Sequence, residues 1–325
     1  MKAEVLNWIC CPKCKYILKL ENDKIGNNEI KEGKLTCICC NKNYKIHNFI
    51  PRFVDDDSYA SNFSLEWQKH RFTQLDEYGL KSEKKETSLY TFYKKTGFNN
   101  TEFEGKLVLD AGVGAGRFAD IAEKAGAIVV GFDLSYSVDA AYQNFHNRRN
   151  IHLIQADLLN LPLRANLFDL VYSIGVLSHI PDPKKGFVNL VKVLKNNGKI
   201  SIWVFDSGNQ NSIERIYRKV GSGLRPKIFY RLCNLVIPFF YIWNATKYHQ
   251  WFWHAILPGF IFHLVPKFSS RKYYKWRVLD TFDFYSANYF AKLTYYDVFS
   301  WFRECKLQDI TINELPIAIS AIKNK

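Results

Sequence analysis

The stretch Lys106-Leu107-Val108-Leu109-Asp110-Ala111-Gly112-Val113-Gly114-Ala115-Gly116-Arg117-Phe118 decides the fold. Residues 106–110 form a short apolar run of strand formers that ends in a carboxylate, and glycine then recurs at alternate positions. Beyond the turn, Phe118, Ile121, Ala122 and Ala125 fall at helical spacing until Gly126 stops the helix. Strand, glycine turn and helix in succession open a doubly wound sheet that binds an adenosine-containing ligand at the turn. The glycines alone would be weak evidence. Their place between strand and helix makes the reading strong.

The spacing also chooses between ligands. A dinucleotide site uses G-x-G-x-x-G, which frees backbone amides for a pyrophosphate. This chain has Asp110-x-Gly112-x-Gly114-x-Gly116. A carboxylate beside the first glycine repels a pyrophosphate and suits a cationic α-amino group. S-adenosylmethionine has an amino acid end and a sulfonium but no phosphate, so it is the better ligand.

Further strands extend the pattern. Residues 127–133 form a second strand ending in Asp133, placed to accept both ribose hydroxyls. Residues 151–158 form a third, with Asp157 where an adenine amino group could donate. Residues 168–174 form a fourth, and 199–205 a fifth, after a helix through Leu190, Val191 and Leu194 that Asn197-Gly198 ends. Taken singly, each aspartate reads more simply as a solvated strand end or a helix cap. Three at successive strand ends behind a glycine turn reverse that reading.

This block, residues 101–205 with the C-terminus, resembles the class I S-adenosylmethionine-dependent methyltransferases. The resemblance implies that Asp110, Gly112, Gly114 and Gly116 surround the methionyl part. It also implies that Asp133 with Leu134 holds the ribose, that Asp157 and Leu158 flank the adenine, and that Ser173 completes the cofactor contacts. The segment Gly175-Val176-Leu177-Ser178-His179-Ile180-Pro181-Asp182-Pro183 resembles the one that places a histidine beside the transferring methyl in many small-molecule members. Methyl transfer is an in-line displacement, so catalysis is alignment plus, for a hydroxyl acceptor, proton removal. His179 is the candidate base, against the simpler reading of a histidine packed at a helix start. The Asn/Asp-Pro-Pro-Tyr/Phe signature of adenine and amide N-methylation is absent here.

The first fifty residues carry a second motif. Cys11-Pro12-Lys13-Cys14 and Cys37-Ile38-Cys39-Cys40 give two CxxC pairs, with Cys10 and Cys39 as extra neighbours. Cys11, Cys14, Cys37 and Cys40 are the set that keeps both spacings, and four thiolates make a closed structural zinc site. Residues 16–20 and 34–36 read as short strands joined through Gly26 and Gly33. So small a module lacks the apolar surface to fold alone, and zinc supplies the missing stability. The segment through Ile50-Pro51 resembles the zinc-ribbon proteins that activate tRNA methyltransferases, with Phe49 where that pattern has glycine.

The chain has 325 residues, 47% of them apolar and 23% charged, which excludes wholesale disorder. Clustered cysteines and the absence of a signal peptide at Met1 predict a reducing, cytoplasmic setting with no disulfide partner. The net charge is +14. Between Asp206 and Arg277 twelve cations face two anions, so that stretch points toward an anionic partner. Within it, residues 232–246 and 248–266 are crowded with aromatic rings, but Asn, Pro, His and Gln interrupt them too often for a membrane span. They fit a lid over the substrate pocket or an interfacial segment on an anionic bilayer. Basic and aromatic interleaving also fits RNA.

Thr294 reads as the N-cap of an amphipathic helix, and residues 307–312 and 317–322 as the last two strands. Tyr285, in the segment 280–286 where many members contact substrate, is the second candidate catalytic residue. The expected architecture is α/β: a doubly wound, seven-stranded, mostly parallel sheet of Rossmann-like methyltransferase type. The expected domains are a zinc ribbon at 1–54, a helical connector at 55–100 that folds over the next domain, and a methyltransferase domain at 101–325 with a helical insert at about 208–280. The expected function is O- or C-methylation of a small-molecule, lipid, quinone or envelope-sugar acceptor, with peripheral contact at the inner face of the membrane through 208–277. Methylation of rRNA or tRNA, and a non-catalytic module that keeps the cofactor fold, are the competing expectations.

Overall fold

The computed structural model describes residues 1–26, 29–54, 60–75, 88–206, 212–244 and 271–324. The aromatic stretch at 248–266 lies outside the described residues.

The N-terminal strands are β1 (Leu18–Gly26), β2 (Glu29–Cys37), β3 (Asn43–His47) and β4 (Ile50–Arg52), each antiparallel to the next. Strands β1 and β2 run further than the sequence suggested, and Gly33 sits inside β2 opposite Ile46 rather than at a turn. At the β3–β4 turn, Phe49 takes φ +67°, the left-handed backbone that glycine adopts without strain. Its ring stacks on Tyr142 at 5.2 Å, which offsets part of that strain.

Helices α1 (Ser61–His70) and α2 (Ser88–Thr96) follow. Then come β5 (Leu107–Ala111), α3 (Arg117–Lys124), β6 (Ile128–Asp133), α4 (Ser137–Phe145) and β7 (Ile151–Gln155). Next are β8 (Phe168–Ile174), α5 (Pro183–Val193) and β9 (Leu194–Trp203). Leu194 therefore opens a strand instead of closing a helix, because it pairs with Phe168. The insert contributes α6 (Ser212–Gly223), α7 (Pro226–Asn244) and α8 (Arg271–Ser286). Helix α9 (Tyr295–Glu304), capped by Thr294 as expected, precedes β10 (Gln308–Ile312) and β11 (Ala318–Ile322).

The described strands form one sheet in the order β1-β2-β3-β4-β7-β6-β5-β8-β9-β11-β10. Strands β7, β6, β5, β8 and β9 are parallel, and β11 runs antiparallel to β9. The order reverses at β5, which lies between β6 and β8, so the ligand crevice falls at the carboxyl ends of these strands. One face buries Phe92, Phe103, Val129 and Tyr172 under α2, α3 and α4. On the other, Phe187, Phe302 and Ile202 share a continuous apolar cluster with Val5, Ile9, Leu35 and Ile46. The N-terminal strands thus obtain apolar burial from the large sheet, beside whatever a metal held by the cysteines contributes. The join is the Arg52–Gln155 pairing of β4 with β7. Arg52, 8% exposed, donates to both oxygens of Asp139 at 2.7 and 3.0 Å and to Gln155 Oε1 at 2.9 Å.

Candidate functional site

A cavity of about 480 Å³ opens at the carboxyl ends of the parallel strands. Gly112, Gly114 and Gly116 line the β5–α3 turn with φ of +90°, +53° and +89°. At Gly112 a Cβ would enter the side chain of Val176, and at Gly114 it would stand 3.2 Å from the Trp67 ring. These two glycines let neighbouring groups approach the backbone where a ligand must pass. Asp133 closes the turn from the next strand. Its Oδ2 accepts from the Gly114 amide at 3.1 Å, and its Oδ1 accepts from the Ser135 amide and hydroxyl at 2.9 and 2.8 Å. Burial raises its pKa above the usual carboxylate value. Gly112, Gly114, Asp133, Leu134 and Leu158 all line the cavity, together with Ala156.

Four predicted residues stand elsewhere. Asp110 is 3% exposed and does not line the cavity. Its carboxyl is buried against the Ala119 amide and Tyr172, and burial pushes its pKa up to about 7. Asp157 caps the short turn at Leu158–Asn160, accepting from the Leu159 amide at 2.8 Å, so the simpler helix-cap reading describes it. Ser173 is fully buried and donates to the Ala111 carbonyl at 3.1 Å, tying β8 to β5. Gly116 begins α3, with the Phe145 ring where a side chain would be. These four shape the turn from behind.

His179 lines the cavity from the segment after β8. Phe63, Phe205 and Phe290 surround its ring at 5.5, 5.5 and 5.6 Å. Nδ1 donates to the Tyr289 carbonyl at 3.1 Å, which leaves Nε2 as the lone-pair nitrogen. Nε2 is buried and has no hydrogen-bond partner among the described residues. Burial lowers the His179 pKa to about 4, so the ring is neutral at neutral pH. Tyr285 does not line the cavity: it packs with Phe229, Val278 and Phe282 inside the insert, and its neighbours on α8 face the cavity instead.

Those neighbours, Asp280 and Asp283, were missed. They stand one turn apart on α8 and share a face, a spacing that the sequence displays. Burial pushes Asp280 up to about 7 and Asp283 to about 6. Across the cavity, Lys95 holds its ammonium 3.3 Å from the Trp203 ring centre, and burial lowers its pKa to about 7. Glu66 is 1% exposed, and burial raises its carboxyl pKa well above the usual value, with the charges of Asp283, Asp280 and Asp133 adding to the rise. Phe63 and Trp67 of α1 wall the same space.

The cysteines form a second centre. The Sγ atoms of Cys11, Cys14, Cys37 and Cys40 lie within 4.8 Å of one another, with Cys11–Cys40 at 3.6 Å and Cys14–Cys37 at 3.4 Å. Tetrahedral zinc with sulfur ligands needs edges of about 3.8 Å, so the donor set fits. The Tyr44 hydroxyl lies 3.2 Å from Cys11 Sγ, where it can donate to a thiolate.

Residues 109–202 match the family model described as a methyltransferase domain. Among curated proteins, the chain is 34% identical over 121 residues to a ubiquinone biosynthesis O-methyltransferase of Coxiella burnetii, covering 37% of this chain and 50% of that one. It is 35% identical over 108 residues to phosphoethanolamine N-methyltransferase 2 of Caenorhabditis elegans, covering 32% and 25%. It is 29% identical over 144 residues to a sterol 24-C-methyltransferase of Schizosaccharomyces pombe, covering 41% and 38%. The chain spans half the length of the first relative and less of the others. With the strand order above, the match identifies the sheet as a Rossmann-like methyltransferase fold.

Proposed function

We propose that this protein transfers a methyl group from S-adenosylmethionine to a hydroxyl or carbon of a small-molecule or lipid acceptor. The observation that carries the reading is a neutral His179, with Nε2 buried and unpartnered, in the same cavity as the glycine turn and Asp133. When bound, S-adenosylmethionine supplies an electrophilic methyl on a sulfonium. The turn through Gly112 and Gly114 would border its methionyl part, and Asp133 would accept from the ribose. Aromatic walls at Phe63, Trp203 and Phe205 exclude water and orient the acceptor. As the acceptor oxygen attacks, its proton passes to His179 Nε2, and the Tyr289 carbonyl fixes the tautomer that keeps Nε2 available.

Residues 1–54 serve in this reading as a zinc-bound ribbon of the kind found beside tRNA methyltransferases, 55–100 as the connector and 101–325 as the catalytic domain, acting in the cytoplasm. The O-, N- and C-methyltransferase names of the relatives show that the matched segment does not choose the acceptor atom. Among the described residues no helix is long and apolar enough to cross a membrane. The test is calorimetry with S-adenosylhomocysteine, then incubation of cell extract with methyl-labelled S-adenosylmethionine. Label in the organic or small-molecule fraction supports the proposal, and label in RNA replaces the acceptor. Binding without transfer leaves a non-catalytic module, and absence of binding removes the whole reading.

A further inference from the structure

Three helices of the insert share one apolar cluster. Phe229 and Cys233 of α7 pack on Val278, Phe282 and Tyr285 of α8, with Tyr217 of α6 against them. That cluster uses one side of α6 and α7. On the remaining sides, Ile216 and Val220 of α6 are 60% and 49% exposed, and Ile228, Leu232 and Leu235 of α7 are 51%, 40% and 74% exposed. They recur at i, i+4 on α6 and at i, i+4, i+7 on α7, so each set forms a stripe. Scattered exposed aliphatic residues are normal, but five in register within twenty residues are a patch.

The charges beside the stripes have one sign. Arg215, Lys219, Arg225, Lys227 and Arg231 are exposed on the same helices and their junction, and the sequence holds no Asp or Glu between Glu214 and Asp280. Exposed aliphatic stripes bordered by cations suit a helix pair lying in the headgroup region of an anionic bilayer. RNA would engage the cations and stack on aromatic rings, leaving exposed Ile, Val and Leu unexplained.

We propose that α6 and α7 dock this protein on an anionic lipid surface. The helix packed behind them, α8, carries Trp276, Asp280, Asp283 and Phe284 in the cavity wall. Docking therefore holds the helix that walls the cavity one layer behind the bilayer surface, and the acceptor it favours is an amphiphile resident there. The choice of acceptor rests on the methyl transfer proposed above; the docking does not.

Flotation of the full, zinc-loaded chain with vesicles tests the surface. Phosphatidylcholine vesicles containing roughly a third phosphatidylglycerol are expected to carry the protein upward, and phosphatidylcholine alone is not. The pair Ile228→Ser and Leu235→Ser should weaken partitioning at least about tenfold. The set Arg225→Gln, Lys227→Gln and Arg231→Gln should weaken it roughly a hundredfold and flatten its salt dependence. Calorimetry with S-adenosylhomocysteine on each variant checks that the pocket is intact, and its failure in the parent chain counts against the enzyme reading alone. The docking proposal is overturned if the parent chain does not float with anionic vesicles or floats equally with neutral ones. Flotation unchanged in both variants, with tRNA retention lost in the charge variant, would assign the face to RNA instead.

Discussion

The Tyr289 carbonyl accepts a hydrogen bond from Nδ1 of His179 at 3.1 Å, and this fixes which nitrogen of the ring can take a proton. His179→Gln should lower kcat by about 10²–10⁴ while leaving S-adenosylhomocysteine affinity within about twofold. The pH profile carries a second readout. With the His179 pKa lowered to about 4, the base is unprotonated from about pH 5 upward, and kcat should be flat there. A profile that instead rises through about pH 6 would assign the proton to Asp283 on the opposite wall.

Asp110 is the residue where sequence and structure differ most usefully. Its folded pKa, raised to about 7, lies above an unfolded value of about 3.9, so the folded state binds the extra proton between those values. Stability from this group is therefore full below about pH 4 and is lost as pH rises through 7. Asp110→Asn removes that loss. Relative to the parent chain, it should gain about 2–4 kcal/mol between pH 4 and pH 8, read by urea denaturation at both. Cofactor affinity should change less than about fivefold, because the carboxyl is behind the turn. A loss of fiftyfold would restore it to the methionyl contact the sequence suggested.

The difference has a physical origin. Alternating glycines and strand-end carboxylates are local patterns, so the turn, the succession of strands around it and the place of Asp133 at a strand end were legible. The direction of a side chain at a strand end depends on what packs over it, and no local pattern shows Asp110 turned toward Ala119 and Tyr172, whereas the cap at Asp157 was the simpler local reading. On α8 the cavity is lined by other residues of the segment than the one chosen. Tyr285 looked chemical, yet helical periodicity puts Asp280 and Asp283 on the cavity face and Tyr285 with Phe282 in the insert cluster. The four cysteines were readable by spacing. The union of β4 with β7 was not, since it depends on Arg52 meeting Asp139, a residue 87 positions away.

Backbone conformation makes a separate prediction at the glycine turn. Gly112→Ala forces a side chain into positive φ and into Val176, and should cost about 1–3 kcal/mol with at least tenfold weaker cofactor binding. Gly105 also has positive φ, at +67°, but nothing lies within 4 Å of its Cβ position. Gly105→Ala should therefore show the strain, about 1 kcal/mol, without the loss of affinity. Equal affinity losses in both variants would mean that the turn fails through strain and not through contact.

Metal removal tests the cysteine centre and its coupling to the rest. One zinc per chain is expected by elemental analysis, and a strong chelator should lower Tm by on the order of 10 °C. Because Val5, Ile9 and Leu35 share one apolar cluster with Phe187 and Ile202, unfolding should stay a single transition. Two separated transitions would show that the ribbon folds independently of the sheet. Full stability without bound metal would remove zinc from the account.

The joint at Arg52 extends that argument to a single ion pair. Its guanidinium is nearly fully buried and grips Asp139, whose side chain is 26% exposed, through both oxygens. Removing one partner of a buried pair leaves the other charge uncompensated, and the partial exposure of Asp139 reduces that cost. Arg52→Leu should destabilise by about 2–3 kcal/mol in denaturant unfolding. Replacing both partners, Arg52→Leu with Asp139→Leu, should recover more than half of the loss, because no charge is then stranded. If instead the two losses simply add, the arginine acts through packing of its stem between β4 and α4, and the charge pair contributes nothing to the join.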